Sequence, residues 1–134
     1  MRDSELMDAA RRVRVRAYAP YSRYSVGAAL LARSGAVYAG CNMENAAFSP
    51  SVCAERAAVA AAVSAGEREF EALAVAGPGE GLCAPCGVCR QTLFEFAPAL
   101  RVICSRGDDM EVFTLDALLP FAFSFRALDI CGER

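Results

Sequence analysis

Cys53-Ala54-Glu55-Arg56-Ala57-Ala58-Val59-Ala60-Ala61-Ala62-Val63 is the stretch whose reading decides the fold. Almost every residue after Cys53 is a good helix former, and Gly66 supplies a stop, so the run predicts a helix that opens at Cys53. Its small side chains let the helix backbone come close to a sheet or to another helix. Upstream, Val26 to Ala32 is an apolar run expected as a buried strand, Ser34-Gly35 turns the chain, and Ala36 to Cys41 returns as the second arm of a hairpin. Downstream, Phe70 to Ala76 is a strand and Gly87 to Ala97 a helix stopped by Pro98. Leu100 to Cys104 and Met110 to Phe113 are strands joined by the turn Arg106-Gly107-Asp108-Asp109.

Two further helices complete the pattern. Ser4 is placed to cap a helix carrying Leu6, Ala10, Val13 and Ala17 on one stripe, ended by Pro20, and Thr114 to cap a short one through Leu118-Leu119. The order helix, two strands, helix, strand, helix, two strands, helix predicts an α/β fold. The expectation is a single three-layer domain over residues 1–134, with one five-stranded mixed sheet flanked by helices. A chain of 134 residues suits one such domain.

Composition narrows the chemistry. Histidine is absent, which removes the commonest general base and the commonest zinc ligand and excludes Ser-His-Asp and Cys-His hydrolases. Acid/base work therefore falls to carboxylates. With 14 basic against 16 acidic residues the chain lacks the basic excess of many nucleic-acid binders, so a small molecule is the expected partner. Apolar residues make up 55% and mean hydropathy is +0.27, yet no apolar run approaches the roughly 20 residues of a membrane span. The apolar surplus is expected in subunit interfaces. The N-terminus has no apolar leader core, the expected location is the cytoplasm, and seven cysteines there mean thiols or metal.

Cys86 and Cys89 stand three apart at the start of a helix, on neighbouring points of one face, and Cys53 opens the preceding helix. Helix N-termini carry partial positive charge, which favours thiolates. Three thiolates can hold zinc and leave a fourth position to water, the arrangement of catalytic rather than structural zinc sites. Glu55 is the natural proton carrier beside them, provided that Cys53 lies at the helix boundary. Arg56, three residues after Cys53, can donate to a ligating sulfur and offset the formal charge of roughly −1 that three thiolates leave on zinc. Cys83 repeats the same spacing with Cys86, so spacing alone does not choose between the pairs. The second pair is favoured because Cys83 precedes Pro85 in a glycine-rich loop, away from a helix end. Cys41, Cys104 and Cys131 read as small hydrophobes. Asn42 and Glu44, two apart after the hairpin, face one way if the strand continues. They are either a polar strand end or a pair converging on a sugar hydroxyl.

Taken together, Cys53-Ala54-Glu55 and Pro85-Cys86-Gly87-Val88-Cys89-Arg90-Gln91 match the general zinc-deaminase pattern, with Cys in place of its His. With Tyr18 to Ala29 and Gly40-Cys41-Asn42-Met43-Glu44-Asn45-Ala46, the chain resembles the small homotetrameric cytidine deaminases over nearly its full length. The resemblance implies one Zn2+ per subunit and hydrolytic deamination of cytidine and deoxycytidine in pyrimidine salvage, at active sites on subunit interfaces. It implies Cys53, Cys86 and Cys89 as ligands, Glu55 as acid/base, Asn42 and Glu44 on the ribose, and Tyr24 beside the nucleoside where Phe is common. It places the Ala54 amide toward the pyrimidine carbonyl, the Pro85 carbonyl toward the leaving amine, and Phe123, before Phe125, as the aromatic offered to a neighbouring subunit. Phe48 stands where the family usually has Tyr, a departure expected to bear on discrimination near the 5′ end.

Overall fold

The computed structural model of the chain describes residues 1–125. Five strands form one sheet in the order β2-β1-β3-β4-β5. They are β1 (Gly27–Ala32), β2 (Val37–Cys41), β3 (Phe70–Ala76), β4 (Arg101–Arg106) and β5 (Asp109–Thr114). Only β3 and β4 run parallel; the other pairs are antiparallel, including the β1–β2 and β4–β5 hairpins that the turn residues predict. The parallel step needs a crossover, and α3 (Gly87–Phe94) lies in it.

The central strands bury both faces, as their unbroken apolar sequences demand: Leu30, Leu73, Val75 and Val102 point to one side, and Ala29, Ala72, Ala74 and Ile103 to the other. The second face is covered by α1 (Asp3–Arg14) through Leu6, Met7 and Ala10. The first is covered by α2 (Ala54–Ser64), α3 and the short α4 (Leu115–Leu118), through Ala54, Ala58, Val59, Ala62, Leu93 and Leu115. The result is the three-layer α/β arrangement expected from the order of elements.

Two glycines set how closely the layers approach. A Cβ on Gly27 would lie 2.1 Å from the Ala10 carbonyl oxygen, so α1 seats directly on β1. One on Gly40 would lie 2.6 Å from the Ala58 nitrogen and 2.8 Å from the Ala54 carbonyl, which seats the first turns of α2 directly on β2. The alanine-rich sequence of α2 and Gly40 are therefore two halves of one contact, and that contact brings the start of α2 to the end of β2.

Helix caps differ from expectation. The first helix starts at Asp3 with Arg2 in the cap position, so Ser4 lies within the first turn. Asp3 takes the place nearest the helix end, where a carboxylate is favoured, and pairs with Arg101 at 2.6 Å. Thr114 does occupy the N-cap position of α4 but makes no side-chain cap hydrogen bond. Cys131 lies outside the described residues.

Candidate metal and substrate site

Cys53 occupies the N-cap position of α2 and Cys86 that of α3. Both have extended backbone, which resolves the spacing difficulty of Cys53 and Glu55: Cys53 stands at the boundary, and Glu55 sits inside the first turn. The two helix starts meet, with the sulfurs of Cys53 and Cys86 3.7 Å apart and those of Cys86 and Cys89 3.5 Å apart. All three sulfurs lie within 4.8 Å of one another, and among the described residues they form the one such group. These separations are far longer than the ~2.05 Å of a disulfide. They match the ~3.8 Å edge that a tetrahedron with ~2.3 Å zinc–sulfur bonds requires. The donor set, all soft thiolates at two positive helix ends, fits zinc.

Arg56 packs against the same corner, donating from Nη2 to Ser51 O at 3.3 Å and to Cys53 Sγ at 3.8 Å. Its Nε is buried and has no hydrogen-bond partner among the described residues. The Cys53 thiol is pulled down to about 5, first by the hydrogen bond from Cys89 and, against the opposing effect of burial, by Arg56. The Cys89 thiol is pushed up, because it keeps the proton that it shares with Cys53 and because burial adds to this.

Glu55 is 4% exposed, and burial pushes its carboxyl up to about 7. It lines a cavity of about 170 Å³ together with Tyr24, Val26, Asn42, Cys53, Ala54, Cys83, Ala84 and Cys86. Two of the three clustered thiols, the carboxylate, Tyr24 and Asn42 therefore open onto one space. Pro85 is fully buried beside it.

Cys83 lies in the cavity wall but outside the sulfur cluster. Its amide donates to Ser105 O at 2.9 Å, burial raises its thiol, and the phenol of Tyr24 hydrogen-bonds to it, pushing Tyr24 up to about 12. The choice that spacing left open falls on Cys86 and Cys89. Cys104 is buried, as a small hydrophobe should be.

Asn42 is committed on both sides. Its Oδ1 accepts from Val26 N at 2.8 Å and its Nδ2 donates to Tyr24 O at 2.8 Å, leaving one Nδ2 hydrogen for a ligand. The chain stays extended past β2 through bridges from Met43 to Tyr18 and Val52, so Asn42 and Glu44 do face one way. Glu44 accepts from the amides of Tyr21 and Ser22 at 2.9 and 3.1 Å and from the Ser22 hydroxyl, which hold its carboxyl below its usual value. Glu44 does not line the cavity; it braces the loop that carries Tyr24.

Phe123 is also absent from the cavity lining, 63% exposed beside Phe94, Phe96 and Pro98 at the end of α3. Phe48 is 75% exposed with φ of 64°, a left-handed conformation costly for an aromatic residue. Sequence reasoning gave no role to Arg90, which donates from Nε to Pro85 O and from Nη1 to Leu118 O, each at 2.7 Å. Its only local signal is an arginine directly after the second cysteine of the pair.

Three thiols at two helix ends beside a buried carboxylate, carried on an α/β sheet, define a zinc-site protein of the deaminase class. The family model for the cytidine and deoxycytidylate deaminase zinc-binding region matches residues 1–105. A cytidine deaminase of Sporosarcina psychrophila is 45% identical over 132 residues, covering 97% of each chain. The crystal structure of cytidine deaminase from Burkholderia pseudomallei superposes with a TM-score of 0.88 at 46% identity, over 92% of this chain and 100% of that one. That of Mycobacterium tuberculosis does so with a TM-score of 0.81 at 37% identity, over 93% and 100%. The chain belongs to the cytidine and deoxycytidylate deaminase family.

Proposed function

We propose that this chain is a cytidine deaminase, converting cytidine and deoxycytidine to uridine and deoxyuridine with release of ammonia. The observation that carries the reading is the opening of Cys53, Cys86 and Glu55 onto one small cavity, with Cys89 closing the sulfur triangle behind. Zinc held by Cys53, Cys86 and Cys89 supplies a Lewis acid that makes a nucleophile from water at neutral pH. Glu55, off the metal, takes the two protons of the attacking water in turn. It delivers one to ring N3 and one to the amine, which leaves C4 as ammonia while the C4 carbonyl forms. The Ala54 amide, at the start of α2, donates to the pyrimidine carbonyl at C2. The Pro85 carbonyl accepts from the leaving amine, and Arg56 steadies the Cys53 sulfur.

Asn42 offers its spare Nδ2 hydrogen to the ribose, and Glu44 acts beside it while bracing the Tyr21–Ser22 turn. Tyr24 forms the aromatic wall. A cavity of about 170 Å³ is below the roughly 300 Å³ at which small-molecule sites usually begin. It suits a base ring and leaves the sugar side to be completed from outside. That supports a homotetramer in which Phe123 reaches a neighbouring site, and the whole of 1–134 acting as one catalytic domain. No helix among the described residues is long and apolar enough to cross a membrane, and a nucleoside substrate in pyrimidine salvage suits a cytoplasmic enzyme.

An ultraviolet assay on cytidine, deoxycytidine, cytosine and a cytidine nucleotide tests the proposal. The expected result is conversion of the two nucleosides, with free cytosine and the nucleotide far slower. Loss of amine from none of the four would overturn it.

A further inference from the structure

Arg90 lies outside the lining of the cavity and spans two separate pieces of chain. Its Nε holds Pro85 O, in the loop before Cys86, and its Nη1 holds Leu118 O, the last residue of α4. A guanidinium donates in two directions at a fixed angle, which the single ammonium of lysine does not reproduce. The next side chain repeats the connection further on: Gln91 Nε2 donates to Phe123 O at 2.9 Å.

Each partner has a reason to need this. Leu118 O lies at a helix C-terminus, where carbonyls lack intrahelical donors and a cation is favoured. With four residues and no side-chain cap, α4 has little stability of its own, so its place is set by what it is tied to. After it the chain leaves the helix, passing Phe121 at φ of 53° to reach Phe123. Pro85 O has two lone pairs, of which Arg90 takes one and fixes the direction of the other.

We infer that Arg90 is a positioning residue for the deamination site, setting the Pro85 carbonyl and the segment that carries Phe123 in one register. The inference rests on the roles of Pro85 and Phe123 given above. One side chain thereby links the wall of its own subunit's site to the aromatic offered to a neighbour. Misplacing Pro85 should fall on kcat, and misplacing Phe123 on KM.

The test compares the zinc-loaded full chain with Arg90→Met, Arg90→Lys, Phe123→Ala and the double variant Arg90→Met/Phe123→Ala. For Arg90→Met, kcat/KM on cytidine falls roughly tenfold to hundredfold, the scale of losing one charge-assisted hydrogen bond, with zinc still at one per chain. In the double variant the KM effects are not multiplied, because the Phe123 side chain through which Arg90 acts is already gone, while the kcat loss of Arg90→Met remains. Arg90→Lys recovers only part, and it carries the test if Arg90→Met does not fold. Hydrogen exchange gives a readout independent of turnover: in either Arg90 variant the amides of residues 119–125 exchange faster than in the parent. KM effects that multiply fully, or exchange in 119–125 unchanged by either variant, would overturn the inference. A parent protein that deaminates nothing sinks the proposed function instead, and leaves the exchange result to decide the Arg90 tie.

Discussion

The corner where α2 and α3 begin and the run from Leu119 to Phe125 both belong to the proposed site, yet one is largely packed into the core and the other displays its aromatic side chains at the surface. In the corner Ala54 and Cys89 are fully buried and Glu55 nearly so. In the run, Phe121, Phe123 and Phe125 are all exposed, and Phe121 is in a left-handed conformation. Large apolar side chains displayed together in this way mark a surface that is normally covered. The difference separates two tasks. In the proposed function, the groups assigned to proton transfer and metal binding are fixed by one chain's own core, whereas the aromatic assigned to the nucleoside is offered to another chain.

The sharpest way to break that contrast is at the sulfur cluster. Cys89→Ser should lower metal affinity by more than roughly hundredfold, beyond the effect of losing an outer-shell partner, and bring turnover to background. Cys83→Ser, three residues before Cys86, should keep zinc at one per chain, since its sulfur lies outside the cluster. Metal titration with a chromophoric chelator reads both. A Cys83→Ser protein that loses zinc while Cys89→Ser keeps it would reverse the assignment of the pair.

Glu55→Gln comes next. The amide keeps the shape of the carboxyl in its buried place but takes up no proton, so kcat should drop by ~10²–10⁴-fold, the usual worth of general acid/base catalysis. Zinc content and the thermal midpoint should stay close to the parent's. Retained zinc together with undiminished kcat would show that proton transfer in this chain does not pass through its buried corner at all.

The same contrast governs how much the sequence alone discloses. The α2 helix is legible because its alanine run and Gly66 are local, and Cys86 with Cys89 because three-residue spacing at a helix start is local too. Cys83 has the same spacing and a different place, because its amide pairs with Ser105 O and its loop bridges to Arg106 through Leu82. That is a contact across more than twenty residues with no periodic trace. Asn42 and Glu44 were legible as a pair facing one way. That both are held by the loop from Tyr21 to Val26 follows only from the bridge that sets Met43 beside Tyr18. Arg90 was hidden for the same reason: Leu118 lies 28 positions away. Ser4 shows the limit of a local rule, since the long-range pair between Asp3 and Arg101 accompanies a helix start two residues earlier.

The smallest expected effect tests the outward half. If Phe123 stacks on the base in a neighbouring subunit, Phe123→Ala should raise KM about tenfold, in line with the worth of one aromatic–base stack, and leave zinc content unchanged. The kcat should change less, because no proton or metal contact is lost. Mixing supplies the stronger evidence. A Glu55→Gln chain has an intact Phe123, and a Phe123→Ala chain an intact acid/base group. When the two are unfolded and reassembled together, some sites pair a working Glu55 with a neighbour's Phe123 and regain the parent's low KM. Reassembly that yields only the weighted average of the two variants would mean that Phe123 serves its own chain's cavity. The exposure of that segment would then have to be explained by a cover other than a second copy.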